Sequence, residues 1–313
     1  MAGSEPPRRV LVTGAGGNLG RKLMAVLLSR HWCETVVAVD RDPPTVAGAG
    51  HRLVPVAADL ADSHDPRWRD AMAGCEAVVH LAARNPAPSA PWSDACASFD
   101  ITANVVLRAL EADVRRLVFA SSNHVMGRYK DPPLADGIKP GALSTAMPPG
   151  PGTRLHNGRE SVDATACAAS KLLSERLCAA AAEASGGALT TVSVRIGWCQ
   201  LGNNRAVTIS AAGSSRGGQC HRPAWVRERD LRCFRGMWLS NRDFGAVMER
   251  ALLADASGWP SPGIVVNCMS RNRGMAWDVE TARALIDYQP QDDIWDHLDA
   301  EEAALYRAET DPS

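Results

Sequence analysis

Three glycines, Gly14, Gly17 and Gly20, stand where an apolar run from Arg9 to Thr13 gives way to a helix-like stretch from Asn18 to Arg30. Glycine at this spacing leaves main-chain N–H groups open to an approaching anion. The positive end of the helix dipole lies behind them, so the chemistry is that of holding a diphosphate. Asn18 and Leu19 belong to the same turn, and Gly20 lets the helix pack close to the strand. Asp40 follows Gly20 by 20 residues and ends the next apolar run. A carboxylate there accepts hydrogen bonds from a ribose and repels a 2′-phosphate. The pattern therefore points to a dinucleotide, and to NAD over NADP, although Arg41 is adjacent. Asp59-Leu60 and Leu81-Ala82-Ala83 follow the third and fourth apolar runs, where the same ligand would continue. Asp59 serves equally well as a helix cap.

These residues need a frame of strands. Arg9–Thr13, Thr35–Val39, Leu53–Val56, Ala77–Leu81, Leu117–Ala120, Thr191–Ile196 and Ile264–Val266 are short, apolar and rich in β-branched residues. Helix-like segments separate them: Asn18–Arg30, Pro66–Ala73, Ala95–Ala112 and Ala164–Ala184. Alternation of this kind predicts an α/β fold of the Rossmann type, a doubly wound parallel sheet buried on both faces. The cofactor domain is expected over 7–196, with a final strand returning near 263–268. The rest of 197–313 is expected to form a small C-terminal lobe for substrate, including helices over Asn241–Leu253 and Val279–Ile286. Two stretches resist regular structure, Gly127–Thr165 with its six prolines and six glycines, and Arg205–Gly236. The arginine-rich part of the second, Arg222–Arg235, is expected to be a solvated loop.

Composition narrows the function. A formal charge of -1 offers no general attraction to nucleic acid or an anionic membrane. No apolar run reaches the roughly 20 residues of a membrane helix, and no signal-like core opens the chain. The nine cysteines are odd in number and lack a CxxC pair, so a reduced, cytoplasmic setting is expected. The histidines show no metal-ligand spacing, and no metal is expected.

The segments TGAGGNLG (13–20), Asp59-Leu60, His80-Leu81-Ala82-Ala83 and Phe119-Ala120-Ser121-Ser122-Asn123-His124 together resemble an extended short-chain dehydrogenase/reductase of the NAD-dependent epimerase/dehydratase group. Ser121-Ser122-Asn123-His124, Arg195-Ile196-Gly197 and Asn203-Asn204-Arg205 are similar to the uronate dehydrogenase branch. The resemblance runs over about residues 8–270, and the two long loops interrupt it. It implies an NAD-dependent oxidoreductase acting on a hydroxyl of a sugar, sugar acid or similar small polar molecule. It maps the hydroxyl-orienting serine to Ser122 and the ribose-holding lysine to Lys171, with Asn104 supporting that lysine through a water and Ile196 beside the cofactor. Asn85, Ser122, Asn123, His124 and Arg205 would face the substrate, Arg205 as a fork for a carboxylate. Helices over Ala95–Ala112 and Ala164–Ala184 pair across a two-fold axis in that family, so a homodimer is expected.

One residue departs from the pattern. The family's catalytic tyrosine precedes the lysine by four residues, one helical turn; Cys167 occupies that place, and Tyr129, Tyr288 and Tyr306 have no such lysine. A thiol near Lys171 has a route to a lowered pKa, but its sulfur is too short to reach a hydroxyl posed for a tyrosine. Three readings are open: the base has moved, to His124 or to the long loop; Cys167 is a reactive thiol; or the chemistry is lost. They leave two alternatives to net oxidation, an NAD-retaining epimerase, dehydratase or lyase, and a non-catalytic dinucleotide-binding protein. His80 reads as a satisfied core residue, and His156 as an exposed loop residue or part of a lid. Trp198 and Cys199 line the nicotinamide side or simply pack.

Overall fold

In the computed structural model, residues 5–85, 87–156, 160–211, 213 and 223–298 are described. Tyr306, Arg222 and the end of the expected lobe, 299–313, lie outside them. The chain runs β1 (Arg9–Thr13), α1 (Asn18–Leu28), β2 (Thr35–Asp40), β3 (Leu53–Ala57), α2 (Pro66–Ala71), β4 (Ala77–His80), α3 (Trp92–Glu111) and β5 (Arg116–Ser122). It continues through β6 (Arg154–His156), β7 (Ser161–Asp163), α4 (Thr165–Ala184), β8 (Thr190–Ile196), α5 (Ala224–Gly236), α6 (Asn241–Leu253), β9 (Gly263–Cys268), α7 (Glu280–Ile286) and α8 (Ile294–His297).

Seven strands form one parallel sheet in the order β3-β2-β1-β4-β5-β8-β9. Alternate residues of β1 explain why both faces are covered: Val10 and Val12 join the apolar layer under α1, α6 and α7, while Leu11 joins the layer under α2, α3 and α4. Strand order reverses between β1 and β4, and a sheet of this kind opens a crevice at the carboxyl ends on either side of that point. The doubly wound sheet read from the sequence is therefore the one observed.

Two local expectations are corrected. Residues 224–236 are helical, not a solvated loop. Val226, Asp230 and Phe234 recur at helical spacing and are buried, and Lys130 neutralises Asp230 at 2.7 Å. The many arginines had masked this amphipathic period. Helices α6 and α7 do not form the lobe: Phe244, Val247, Met248, Ala282 and Ile286 pack on the sheet. The lobe core is instead Met126, Leu143, Leu155, Phe234, Trp238, Trp277 and Ile294. Within Gly127–Thr165, the far limb is ordered as the antiparallel hairpin β6–β7.

Candidate active site

A cavity of about 600 Å³ lies over the carboxyl ends of β1 to β4, lined by Gly14, Gly16, Gly17, Asn18, Leu19, Gly20, Asp40, Asp59, Leu60, Leu81, Ala82 and Ala83. Its floor admits no side chains. A Cβ on Gly14, where φ is +68°, would stand 2.8 Å from the Ala82 nitrogen, and one on Gly20 would stand 2.2 Å from the Gly14 oxygen. The Asp40 carboxylate accepts from the main-chain N–H groups of Gly16 (2.9 Å) and Asp42 (3.1 Å), which fixes it at the cavity edge. Gly17 is the extended residue that opens α1, so the helix N-terminus faces this space. The bare backbone, the helix end and the fixed carboxylate fit a dinucleotide. Asp59 lines the cavity and also accepts from the Ala61 N–H at 3.0 Å, so it combines both expected roles.

Leu19, Leu81, Ala83 and Cys199 line this cavity and a second one of about 450 Å³. The two adjoin at these residues. The second is walled by Ser122, Asn123 and His124 at the end of β5, Cys167 and Lys171 on α4, Ile196 to Gln200 after β8, and Leu155 and Val162 from the β6–β7 hairpin. Ser122 accepts from the His124 N–H at 3.1 Å. Asn123 donates to the Ile196 carbonyl at 2.9 Å, and its own side-chain oxygen is buried without a partner among the described residues. Lys171 donates to the Ala120 carbonyl at 2.7 Å and sits 4.7 Å from the centre of the Phe119 ring. Burial pulls the Lys171 amine below the ordinary lysine range, against the opposing pull of Cys167, Cys178 and Glu175.

Both buried histidines are neutral near pH 7, for the same reason and with different consequences. Desolvation brings His80 down to about 3, with Lys171 adding to it, and His124 down to about 4. Thr13 Oγ1 accepts from the Leu81 and Ala82 N–H groups, so its hydroxyl donates to His80 Nδ1. His80 Nε2–H then donates to Thr102, which donates on to the Ser98 carbonyl. His80 is fully engaged, as expected for a core residue. Among the described residues the His124 ring has one such partner, Thr153 Oγ1, 2.8 Å from Nδ1.

The sequence from residue 10 to residue 197 matches the model of the NAD dependent epimerase/dehydratase family. The chain belongs to that family. An L-arabinose 1-dehydrogenase (NAD(P)(+)) from Haloferax volcanii is 30% identical, over 91% of this chain and 96% of its own length. An NAD-dependent glucose-6-phosphate dehydrogenase from the same organism is 28% identical, over 90% and 93%. Among solved structures, a variant of the Agrobacterium tumefaciens uronate dehydrogenase in complex with NAD superposes with a TM-score of 0.62 at 25% identity, over 98% of this chain and 91% of its own. The expected family, the Rossmann-type fold, the enzymatic character and the NAD cofactor are borne out.

Within this family member, several expected site residues sit elsewhere. Arg205 does not line the cleft. It is exposed at a separate surface pocket with Asn203, Asn241, Arg242 and Asp292. Asn204 causes this: its backbone is left-handed (φ 52°), and its buried amide accepts from Gln200 N–H and donates to the Leu239 carbonyl, which turns the chain away. Asn85 is absent from the described lining; it donates to Asp94 and accepts from Ala87 N–H as a turn brace. Asn104 donates to the Leu60 carbonyl at 2.9 Å. Cys167, 9% exposed, is pushed above the ordinary thiol range because burial outweighs Lys171, opposite to the lowering considered from spacing. His156 is a half-buried residue of β6 outside the described lining. Gly16, Thr153 and Gln200 were not singled out from the sequence. Gly16 lay in view inside the glycine run; the other two occupy irregular segments with no periodic signal.

Proposed function

We propose that this chain is an NAD-dependent oxidoreductase that oxidises a hydroxyl of a sugar or sugar acid, with His124 as the proton acceptor. The observation that carries the reading is the cavity lined by Ser122, Asn123, His124 and Lys171 that adjoins the diphosphate cradle through shared lining residues. When bound, NAD supplies the acceptor for the hydride that leaves the substrate carbon.

The chain's own residues do the rest. Main-chain groups from Gly14 to Gly20 and the carboxylate of Asp40 hold the diphosphate and adenosine ends. Ser122 keeps its O–H for the substrate while accepting from the His124 backbone. The unpartnered oxygen of Asn123 accepts from a neighbouring substrate hydroxyl, which relieves the cost of its burial. His124 is neutral at the working pH and carries a lone pair for the departing proton. Lys171, tied to Ala120, lends its cationic form to the cofactor ribose, and the raised Cys167 thiol stays protonated and only fills space. Leu155 and Val162 give the cleft an apolar wall.

The protein works as a homodimer in the cytoplasm under this reading. Leu107 on α3 and Leu173 on α4 are 53% and 52% exposed on two helices packed side by side, and apolar burial on pairing would cover both. Sedimentation showing only monomer at micromolar concentration refutes the dimer. The test of activity is NADH absorbance with NAD and a panel of aldoses, sugar phosphates and uronic acids. Turnover is expected with at least one class, and His124→Gln should lower kcat on the order of 10²–10⁴-fold. Silence across the panel from protein that binds NAD overturns the reading.

A further inference from the structure

Thr153 lies in the longest irregular segment of the chain, yet it is 1% exposed and its hydroxyl meets the imidazole of His124. Its position is built from both sides. Gly152 N–H donates to the His124 carbonyl, Arg128 N–H donates to the Gly150 carbonyl, and Ala164 N–H donates to the Thr153 carbonyl. A Cβ at Gly127 would stand 2.1 Å from Thr153 Oγ1, so the absence of a side chain at 127 is what admits the hydroxyl. The far limb of the long loop is therefore stitched to the backbone of 124–128, and it places one hydroxyl behind the imidazole. No described residue partners Nε2, and His124 lines the cleft.

We propose that Thr153 is a positioning residue: it accepts from His124 Nδ1–H and so directs the Nε2 lone pair at the substrate. The proposal rests on the assignment of His124 as proton acceptor. The bond made by one ring nitrogen decides which tautomer the other presents. When the substrate proton moves to Nε2, the ring becomes an imidazolium with both nitrogens protonated. Nδ1–H still donates to Thr153 Oγ1, so the same contact serves before and after transfer, and no heavy atom moves. His80 is the internal contrast, since two threonine hydroxyls bracket its ring and leave neither nitrogen free. Chemistry needs a histidine held on one side only, and the loop supplies that one hold.

The test compares wild type with Thr153→Val, Thr153→Ser and His124→Gln. Nitrogen NMR of the imidazole reads the tautomer without any turnover, calorimetry reads NAD affinity, and NADH formation reads kcat. Wild type is expected to carry its proton on Nδ1. Thr153→Val should move the proton to Nε2 and lower kcat about tenfold or more, the worth of one hydrogen bond to the ring, with NAD affinity unchanged. Thr153→Ser should restore both the tautomer and the rate. A proton on Nε2 in wild type overturns the proposal, as does an unchanged tautomer in Thr153→Val, or a serine variant as slow as the valine one. If His124→Gln turns over like wild type, the assignment of the base fails. If His124→Gln is slow while Thr153→Val is unimpaired, the role of Thr153 alone fails.

Discussion

Replacing Glu175 by glutamine should cost several kcal/mol of stability, about 3–5, because it strands a buried arginine. Glu175 and Arg195 are each 3% exposed at the side chain and pair through both carboxylate oxygens, at 2.9 and 2.8 Å. Ser121 donates to the same carboxylate at 2.5 Å, and Arg195 Nη1 is already buried without a partner among the described residues. In Glu175→Gln the guanidinium keeps its full charge and loses its counter-ion among the described residues. Breaking a buried pair from one side costs about 3–5 kcal/mol, most of it the penalty for the stranded ion. Removing both ions together, as Glu175→Leu with Arg195→Met, leaves no stranded charge. That double variant should regain at least half of the loss. Urea unfolding with an unchanged slope against denaturant measures both. A loss below about 1 kcal/mol in the single variant refutes the reasoning, and so does a double variant no more stable than the single. The clamp joins α4 to the ends of β8, through Arg195, and β5, through Ser121. It lies one helical turn from Lys171 and one residue from Ser122, so the same variants should weaken NAD binding in step with stability.

Cys167→Ala should leave turnover within about twofold, because a protonated buried thiol contributes only packing. Cys167→Tyr, which restores a tyrosine one turn before Lys171, should raise it; steady-state kinetics on both variants decides, and a loss of activity in Cys167→Ala would make the thiol part of the mechanism. Gly20→Ala, whose Cβ would stand 2.2 Å from the Gly14 oxygen, should weaken NAD binding at least about tenfold by calorimetry, while Gly17→Ala, at 3.2 Å from the same oxygen, should lose markedly less. Equal losses would mean that close packing of helix on strand is not what the glycines provide. His80 and His124 titrate lower when folded than the 6.5 expected when exposed, so the unfolded chain takes up more protons as pH falls. Stability should therefore decline below about pH 6.5, by about 4 kcal/mol for the two together at pH 5 relative to neutral pH. A midpoint of urea unfolding that is flat over this range contradicts their neutral burial.

The cofactor end of the site was legible in the sequence because backbone and short-range spacing build it. The glycines from Gly14 to Gly20, Asp40 20 residues on, and the strand ends at Asp59 and Leu81 each sit within one strand–turn–helix unit, where a linear pattern suffices. The substrate end depends on segments brought together from a distance. Thr153 reaches His124 from 29 positions away, and Leu155 and Val162 come from a hairpin hidden in a proline- and glycine-rich run. Arg205 was misplaced because residue type suggested a carboxylate fork, while the left-handed turn at Asn204 decided its direction. A helix over 224–236 was missed for a related reason: charge density concealed Val226, Asp230 and Phe234, and the partner that makes a buried Asp230 tolerable is Lys130, a hundred residues earlier.

Cys167 shows how one physical variable settles what spacing leaves open. From helical spacing alone, a lysine one turn away argues for a thiolate beside an ammonium. Burial acts on both partners in the other direction, raising the thiol and lowering the amine, because each charged form loses its water. A thiolate–ammonium pair is therefore less favoured in this pocket than helical spacing alone suggests. A neutral imidazole carries no such penalty: the desolvation that holds His124 down to about 4 is also what keeps its lone pair available at neutral pH. The cleft thus favours an uncharged acceptor over an ionised one. On the proposed reading the base is His124 at the end of β5, which lines the same cavity as Cys167 and Lys171.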